Sequence, residues 1–222
     1  MTDLAKTERS RVKRMHERGR YDFDTVAQIL DSGFICHVGY AIEGMPYVTP
    51  TSYWREGDRV YWHGSSASRM LRAAQGAADV CLTVTLIDGL VLARSAFHHS
   101  INYRSVMLFG KAHKVEDPAH KLQALENFVE RVAPGRWAAL RPASEQELKA
   151  TTVMHMLIDE GSAKLRRGNP VDDDEDYDWP VWAGVVPIRT VAGTPADDGR
   201  VVPGAAGQPA AAGFSHLGLE PD

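Results

Sequence analysis

The sequence predicts a mainly β protein, a barrel of short antiparallel strands with a few helices inserted at the connections. Three observations carry that prediction. Strand-like runs at 34–41, 46–54, 59–63 and 78–86 are short and bounded by turn residues. Glu43-Gly44 and Glu56-Gly57-Asp58 supply hairpin turns that make the first three runs antiparallel neighbours. Helical periodicity is confined to a few segments, without the regular strand–helix alternation of a doubly wound sheet.

Taken in order, 1–20 reads as an N-terminal arm, 21–190 as the barrel domain and 191–222 as a flexible tail rich in Ala, Gly and Pro. The helix expected over 21–32 takes Asp24 as its N-cap and places Val26, Ile29 and Leu30 on one face. A short helix over 67–75 is closed by Gly76. Two further strands, 91–95 and 105–116, follow, the first after a turn at Asp88-Gly89. Between Asp117-Pro118 and Pro134, the spacing of Leu122, Leu125, Phe128, Val129 and Val132 predicts an amphipathic helix. Ser144 and Glu147 form a capping-box pair, and strands return at 153–158 and 182–187. The acidic stretch 169–180 between them reads as a solvated loop.

Composition narrows the function classes. The 222 residues are 44% hydrophobic and 24% charged, as in an ordinary globular protein. A net charge of −4 leaves no general nucleic-acid footprint. The charged opening segment is no signal peptide, and no stretch has membrane-spanning length. Cys36 and Cys81 sit in apolar runs without CxxC spacing, which fits a reducing cytoplasm. The expectation is a cytoplasmic protein with neither nucleic acid nor membrane as partner.

Chemistry concentrates at two places. WHGSSASRMLRA (62–73) runs from a strand end through small hydroxyl residues into a helix, so Ser65, Ser66, Ser68 and Arg69 could hold a phosphate dianion, helped by Arg72. Such turns are more often plain helix caps. Thr51, Ser52 and Tyr53 lie on the strand just before that turn, and His63 at the strand end beside it. Asn102, Tyr103, Arg104 and Ser105 lead into the apolar run VMLFG, a polar group at a strand mouth, where ligands commonly sit. Trp182 opens the last strand, by default as core, more sharply as an indole against a ring. No HxH or HxxxH spacing occurs, so no metal site is expected. The two pieces together suggest a phosphorylated, planar cofactor.

With YVTPTSYW, VYWHGSSASRMLRA, VCLTVTLIDGLVLARS, FHHSINYRSVMLFGKAHKVED and WAGVVPI in that order, the chain resembles the pyridoxamine 5'-phosphate oxidase-related family of FMN-binding split barrels, near its nitroimidazole-resistance-like branch. The resemblance implies a homodimeric split β-barrel with FMN at the subunit interface. It places Ser68 and Arg69 at the phosphate, with Ser65 and Ser66 nearby. It sets Thr51, Ser52 and Tyr53 along the ribityl chain, and Thr83, Val84 and Thr85 beside the ring. Asn102, Tyr103, Arg104 and Ser105 match the segment that reaches the ring, often from the other subunit.

Two departures argue against vitamin B6 oxidation. Met70 stands where the true oxidases have a Lys, and the tail after Arg189 lacks their Arg-and-His substrate stretch. The function implied is an oxidoreductase passing hydride or electrons between FMN and a small planar, nitroaromatic-like substrate. His63, Tyr103 and Arg104 are the candidates for proton donors or charge stabilisers. The competing class is a non-catalytic FMN carrier or redox sensor. A barrel that instead holds haem or a deazaflavin would show poor FMN affinity and a different visible spectrum.

Overall fold

The computed structural model describes residues 2–74, 76–205, 214, 220 and 221. Its elements run β1 (Gly19–Arg20), α1 (Phe23–Asp31), β2 (Ile35–Ile42), β3 (Met45–Glu56), β4 (Arg59–Ser65), α2 (Arg69–Ala73), β5 (Ala78–Leu92), β6 (Ser100–Lys114), α3 (Pro118–Val132), α4 (Glu145–Ala150), β7 (Thr151–Leu157), β8 (Gly161–Arg166), β9 (Gly184–Pro187), β10 (Val191–Ala192) and β11 (Glu220–Pro221). The main sheet follows the order β1-β8-β6-β7-β4-β3-β2-β5-β9, and β5 also pairs with β6. That extra pairing closes β6, β7, β4, β3, β2 and β5 into a ring, every partner antiparallel. Closure removes the exposed edges that an open sheet would present.

Alternation decides what fills the ring. Cys36, Val38, Leu82, Val84, Val106 and Leu108 point inward with Trp62, Met154 and Met156. Helix α1 seals one end with Val26, Ile29 and Leu30, and the Arg131 guanidinium of α3 donates to the carbonyls of Leu30, Asp31 and Gly33. The first two belong to the last turn of α1, whose carbonyls lack partners within the helix. A second apolar cluster, Trp54, Tyr61, Val115, Ala124 and Val153, lies under α3.

Several expectations need correction. The N-cap of α1 is Asp22, whose carboxylate accepts from the Thr25 amide at 2.8 Å, not Asp24. The expected turn at Asp88-Gly89 is a bulge inside one continuous β5. Gly89 is needed there because a Cβ would stand 2.9 Å from Val185 and 3.0 Å from the Val186 carbonyl. Strand β6 starts at Ser100, so Asn102 to Ser105 lie within it, not at its mouth. Strand β8 went unread because GSAKLR carries no apolar run; the Asp159-Glu160-Gly161 turn was its signal.

The acidic stretch is anchored, not merely solvated. Asp172 is buried, accepting from the Arg94 amide at 2.9 Å and from its guanidinium at 3.1 Å. The N-terminal arm folds back on its own barrel through buried Leu4 and a two-pronged contact of Arg9 with Glu160. The capping box of Ser144 and Glu147 forms as read, and both cysteines are free thiols. Of the expected C-terminal tail, 206–213, 215–219 and 222 lie outside the described residues; within the rest, β10 and β11 pair in parallel. No described helix is long and apolar enough to cross a membrane.

Candidate functional site

The hydroxyl-rich corner forms where β4 ends. The Ser66 amide donates to the Ala150 carbonyl, and the Ser68 amide to the Ser65 carbonyl, so the chain turns tightly into α2. Ser65 and Ser66 are exposed and Ser68 half-buried. The Arg69 guanidinium lies 4.7 Å from the Tyr47 ring centre, and Tyr47 stacks on Tyr40 at 5.6 Å. Among the described residues, neither Arg69 nor Arg72 has a carboxylate partner. Thr51 comes to this corner through the β3–β4 register, donating to the His63 carbonyl at 3.4 Å. Tyr47 and Tyr40 were missed; the alternation of YVTPTSYW, which puts Tyr47 on the same face as Thr49 and Thr51, was the available signal.

Other expected residues gather on an open sheet face. Register aligns Pro50, His37, Thr83 and Met107 across β3, β2, β5 and β6, with Thr85 opposite Ser105 and Ser52 opposite Ile35. Ile35, Val48, Ile87 and Met107 are left exposed on that barrel exterior, Val48 at 67%. Thr83, Thr85, Ser105, Ser52 and exposed His37 are thus polar positions among uncovered apolar ones, a pattern typical of interaction surfaces.

Four expected side chains face elsewhere. Tyr53 is a core group: its hydroxyl donates to the Leu30 carbonyl at 2.6 Å, and burial raises its pKa. Val84 is likewise fully inside the barrel. The His63 ring turns under α3, 4.6 Å from the centre of Phe128, and burial lowers its pKa, so it is not presented to the corner. Trp182 precedes β9, is 64% exposed, and folds its ring over Gly184.

Of the β6 group, Asn102 is buried, donating to the Gly168 carbonyl at 3.0 Å and accepting from Arg166. Arg104 is engaged by Asp88, and Ser105 donates to the Lys164 carbonyl at 3.3 Å. Tyr103 lies between Ile87 and Arg166 in the register. The sequence therefore brings together one corner (Thr51, Ser65, Ser66, Ser68, Arg69) and one face (Ser52, Thr83, Thr85, Tyr103, Ser105).

Comparison with known proteins bears on what this arrangement serves. Residues 22–165 match the family model described as pyridoxamine 5'-phosphate oxidase. The structure of the flavocytochrome Anf3 from Azotobacter vinelandii is 47% identical, covering 99% of this chain and 100% of that one, with a TM-score of 0.89. The FAD and heme binding protein from Mycobacterium smegmatis is 35% identical over 88% of this chain and 95% of its own, with a TM-score of 0.82. A Bacteroides thetaiotaomicron protein described for 5-nitroimidazole antibiotic resistance shares the fold at 24% identity and a TM-score of 0.55, covering 66% of this chain and 85% of its own. No curated protein matches the sequence.

Proposed function

The chain belongs to the pyridoxamine 5'-phosphate oxidase family, and from that premise we propose that it is a flavin-dependent oxidoreductase acting as a homodimer, with FAD as its flavin and haem as a second group. The observation that carries this reading is the end-to-end 47% identity to a flavocytochrome. FAD contains the mononucleotide to which the sequence motifs are suited, and the relative at 35% identity is named for FAD and haem, so FAD is preferred over FMN.

The residues present fit such a group. Arg69 and Arg72, without carboxylate partners among the described residues, and the hydroxyls of Ser65, Ser66 and Ser68 suit a phosphate. Met70, where a Lys would serve vitamin B6 oxidases, is 4% exposed and packs in the core, so that activity is not proposed. When bound, the flavin supplies the capacity to accept and pass on a hydride or electrons. The chain's part is to hold the phosphate at the corner, to offer the hydroxyls of Thr83, Thr85 and Ser105 on the open face, and to exclude water with Ile35, Val48, Ile87 and Met107 once a second copy covers them. Arg104 is a weak candidate for balancing charge on a ring, because Asp88 already neutralises it.

A haem would need a side chain able to bind iron and an apolar seat, and His37 and His99 are the residues that would hold it. His37 lies on the open apolar face, one strand from Thr83 and two from Met107. His99 is exposed, and its Nδ1 lies 2.9 Å from the Ser95 carbonyl. With the proton on Nδ1 donated to that carbonyl, Nε2 would be the nitrogen available to iron.

The test is anaerobic reduction of the purified protein followed by mixing with oxygen or a nitroaromatic. An oxidoreductase reoxidises many times faster than free reduced flavin at the same concentration. Reoxidation no faster than free flavin with either acceptor would leave a carrier or sensor.

A further inference from the structure

On the outer side of α1 lies a cleft of about 500 Å³ whose wall contains Arg18, Arg20, Arg104, Arg166 and Arg167. Glu17 faces Arg18 at 3.6 Å, and Asp88 engages Arg104. Among the ion pairs of the described residues, none involves Arg20, Arg166 or Arg167. Arg20 donates only to the backbone carbonyls of Glu17 and Gly19. Arg166 is the informative one: it is 9% exposed, and its side-chain partner is the neutral amide of Asn102. A guanidinium withdrawn from water without a counter-charge is costly unless an anion completes it. Burial and the neighbouring Arg18 both lower its pKa, as a shortage of negative charge requires.

A second cleft of about 620 Å³ adjoins the first, sharing Arg104, and is walled by Phe34, Ile35, Leu86, Ile87 and Ile188. The pair therefore offers a cationic end and a mixed trough, in which these apolar side chains alternate with Ser32, Thr85, Asp88, Arg189 and Thr190. We propose that the arginine cleft binds the multiply charged end of an amphipathic anionic ligand, a diphosphate or a pair of carboxylates, whose apolar body lies along the adjoining trough. Guanidinium groups match both anions by paired hydrogen bonds. The arginine cleft is separate from the flavin corner, since Arg69 sits over Tyr47, which pairs with Tyr40 near the far end of β2 from Phe34 and Ile35, whereas the trough shares Ile35 and Ile87 with the face assigned above to the flavin and the second copy, so that half of the proposal rests on that reading.

The test is calorimetric titration of the full chain with inorganic pyrophosphate at low salt, in the wild type, in Arg69→Ala and in the double variant Arg20→Gln/Arg167→Gln, whose two side chains are exposed. Saturable binding that weakens with added salt, persists in Arg69→Ala and falls at least about tenfold in the double variant supports the site. The double variant should keep the wild-type unfolding midpoint and flavin absorption bands. Displacement of pyrophosphate by haemin but not by its dimethyl ester identifies a carboxylate pair, and displacement by NADPH identifies a diphosphate. No saturable binding, or equal binding by wild type and double variant, overturns the proposal. A failure of the flavin reading would appear separately, as loss of the flavin spectrum.

Discussion

Arg104 and Asp88 are joined by a two-pronged ion pair, with Nη2 2.8 Å from Oδ1 and Nε 3.0 Å from Oδ2, and Arg104 forms part of the wall of both clefts. Both side chains are about 30% exposed, so the pair is screened but not fully solvated. Asp88→Asn should release the guanidinium and tighten pyrophosphate by about fivefold, in line with a gain of about 1 kcal/mol for two opposite charges a few ångströms apart. Arg104→Ala should weaken it. Titration calorimetry on the two variants checks both directions.

The corner makes a different prediction. Arg69→Ala should weaken binding of a flavin nucleotide by roughly 10- to 100-fold, the range expected for a lost charge-assisted hydrogen bond. Riboflavin, which lacks the phosphate, should bind equally well to wild type and variant. Fluorescence-quenching titrations with both ligands distinguish a phosphate contact from a general loss of structure.

Tyr53 separates a core role from a ligand role. Its hydroxyl satisfies the Leu30 carbonyl at the end of α1, next to Gly33, where a Cβ would stand 2.8 Å from that oxygen. Tyr53→Phe should cost about 1 kcal/mol of stability, the net worth of one buried hydrogen bond, and leave flavin affinity unchanged. Urea denaturation and a flavin titration on the same preparation read the two quantities.

His155 gives the fold a pH dependence. Burial, then Arg59, His113 and His120, lower its pKa from 6.5 to about 4. Between those values the unfolded chain takes up a proton that the folded chain refuses. Stability is therefore full above about pH 6.5, declines as pH falls towards 4, and gains no further loss from this group below that. His155→Gln should flatten this decline, measured as the urea midpoint from pH 7 to pH 4.

The strands β2, β3 and β4 and the two turns between them were legible because hairpin glycines and period-two alternation are local signals, as at Gly44 and Gly57. The capping box of Ser144 was legible for the same reason. What was not legible depended on contacts remote in sequence. Asp88-Gly89 looks like a turn, and only the approach of β9 makes Gly89 a bulge residue. Asp172 looks like one of many solvated carboxylates until Arg94, 78 residues away, claims it. In the site, the corner could be read as a motif, whereas Tyr53 and His63 could not be assigned a side, because α1 and α3 decide which face of β3 and β4 is covered. The arginine cleft escaped notice because its members come from two separate segments and β6, and none forms a motif alone.

The central claim, a flavin nucleotide held by this chain, is tested most directly by the visible absorption spectrum of the purified protein, followed by identification of what denaturation releases. The account predicts flavin bands with FAD released, together with a Soret band for haem. A colourless protein that takes up neither FAD nor FMN when either is added would contradict it.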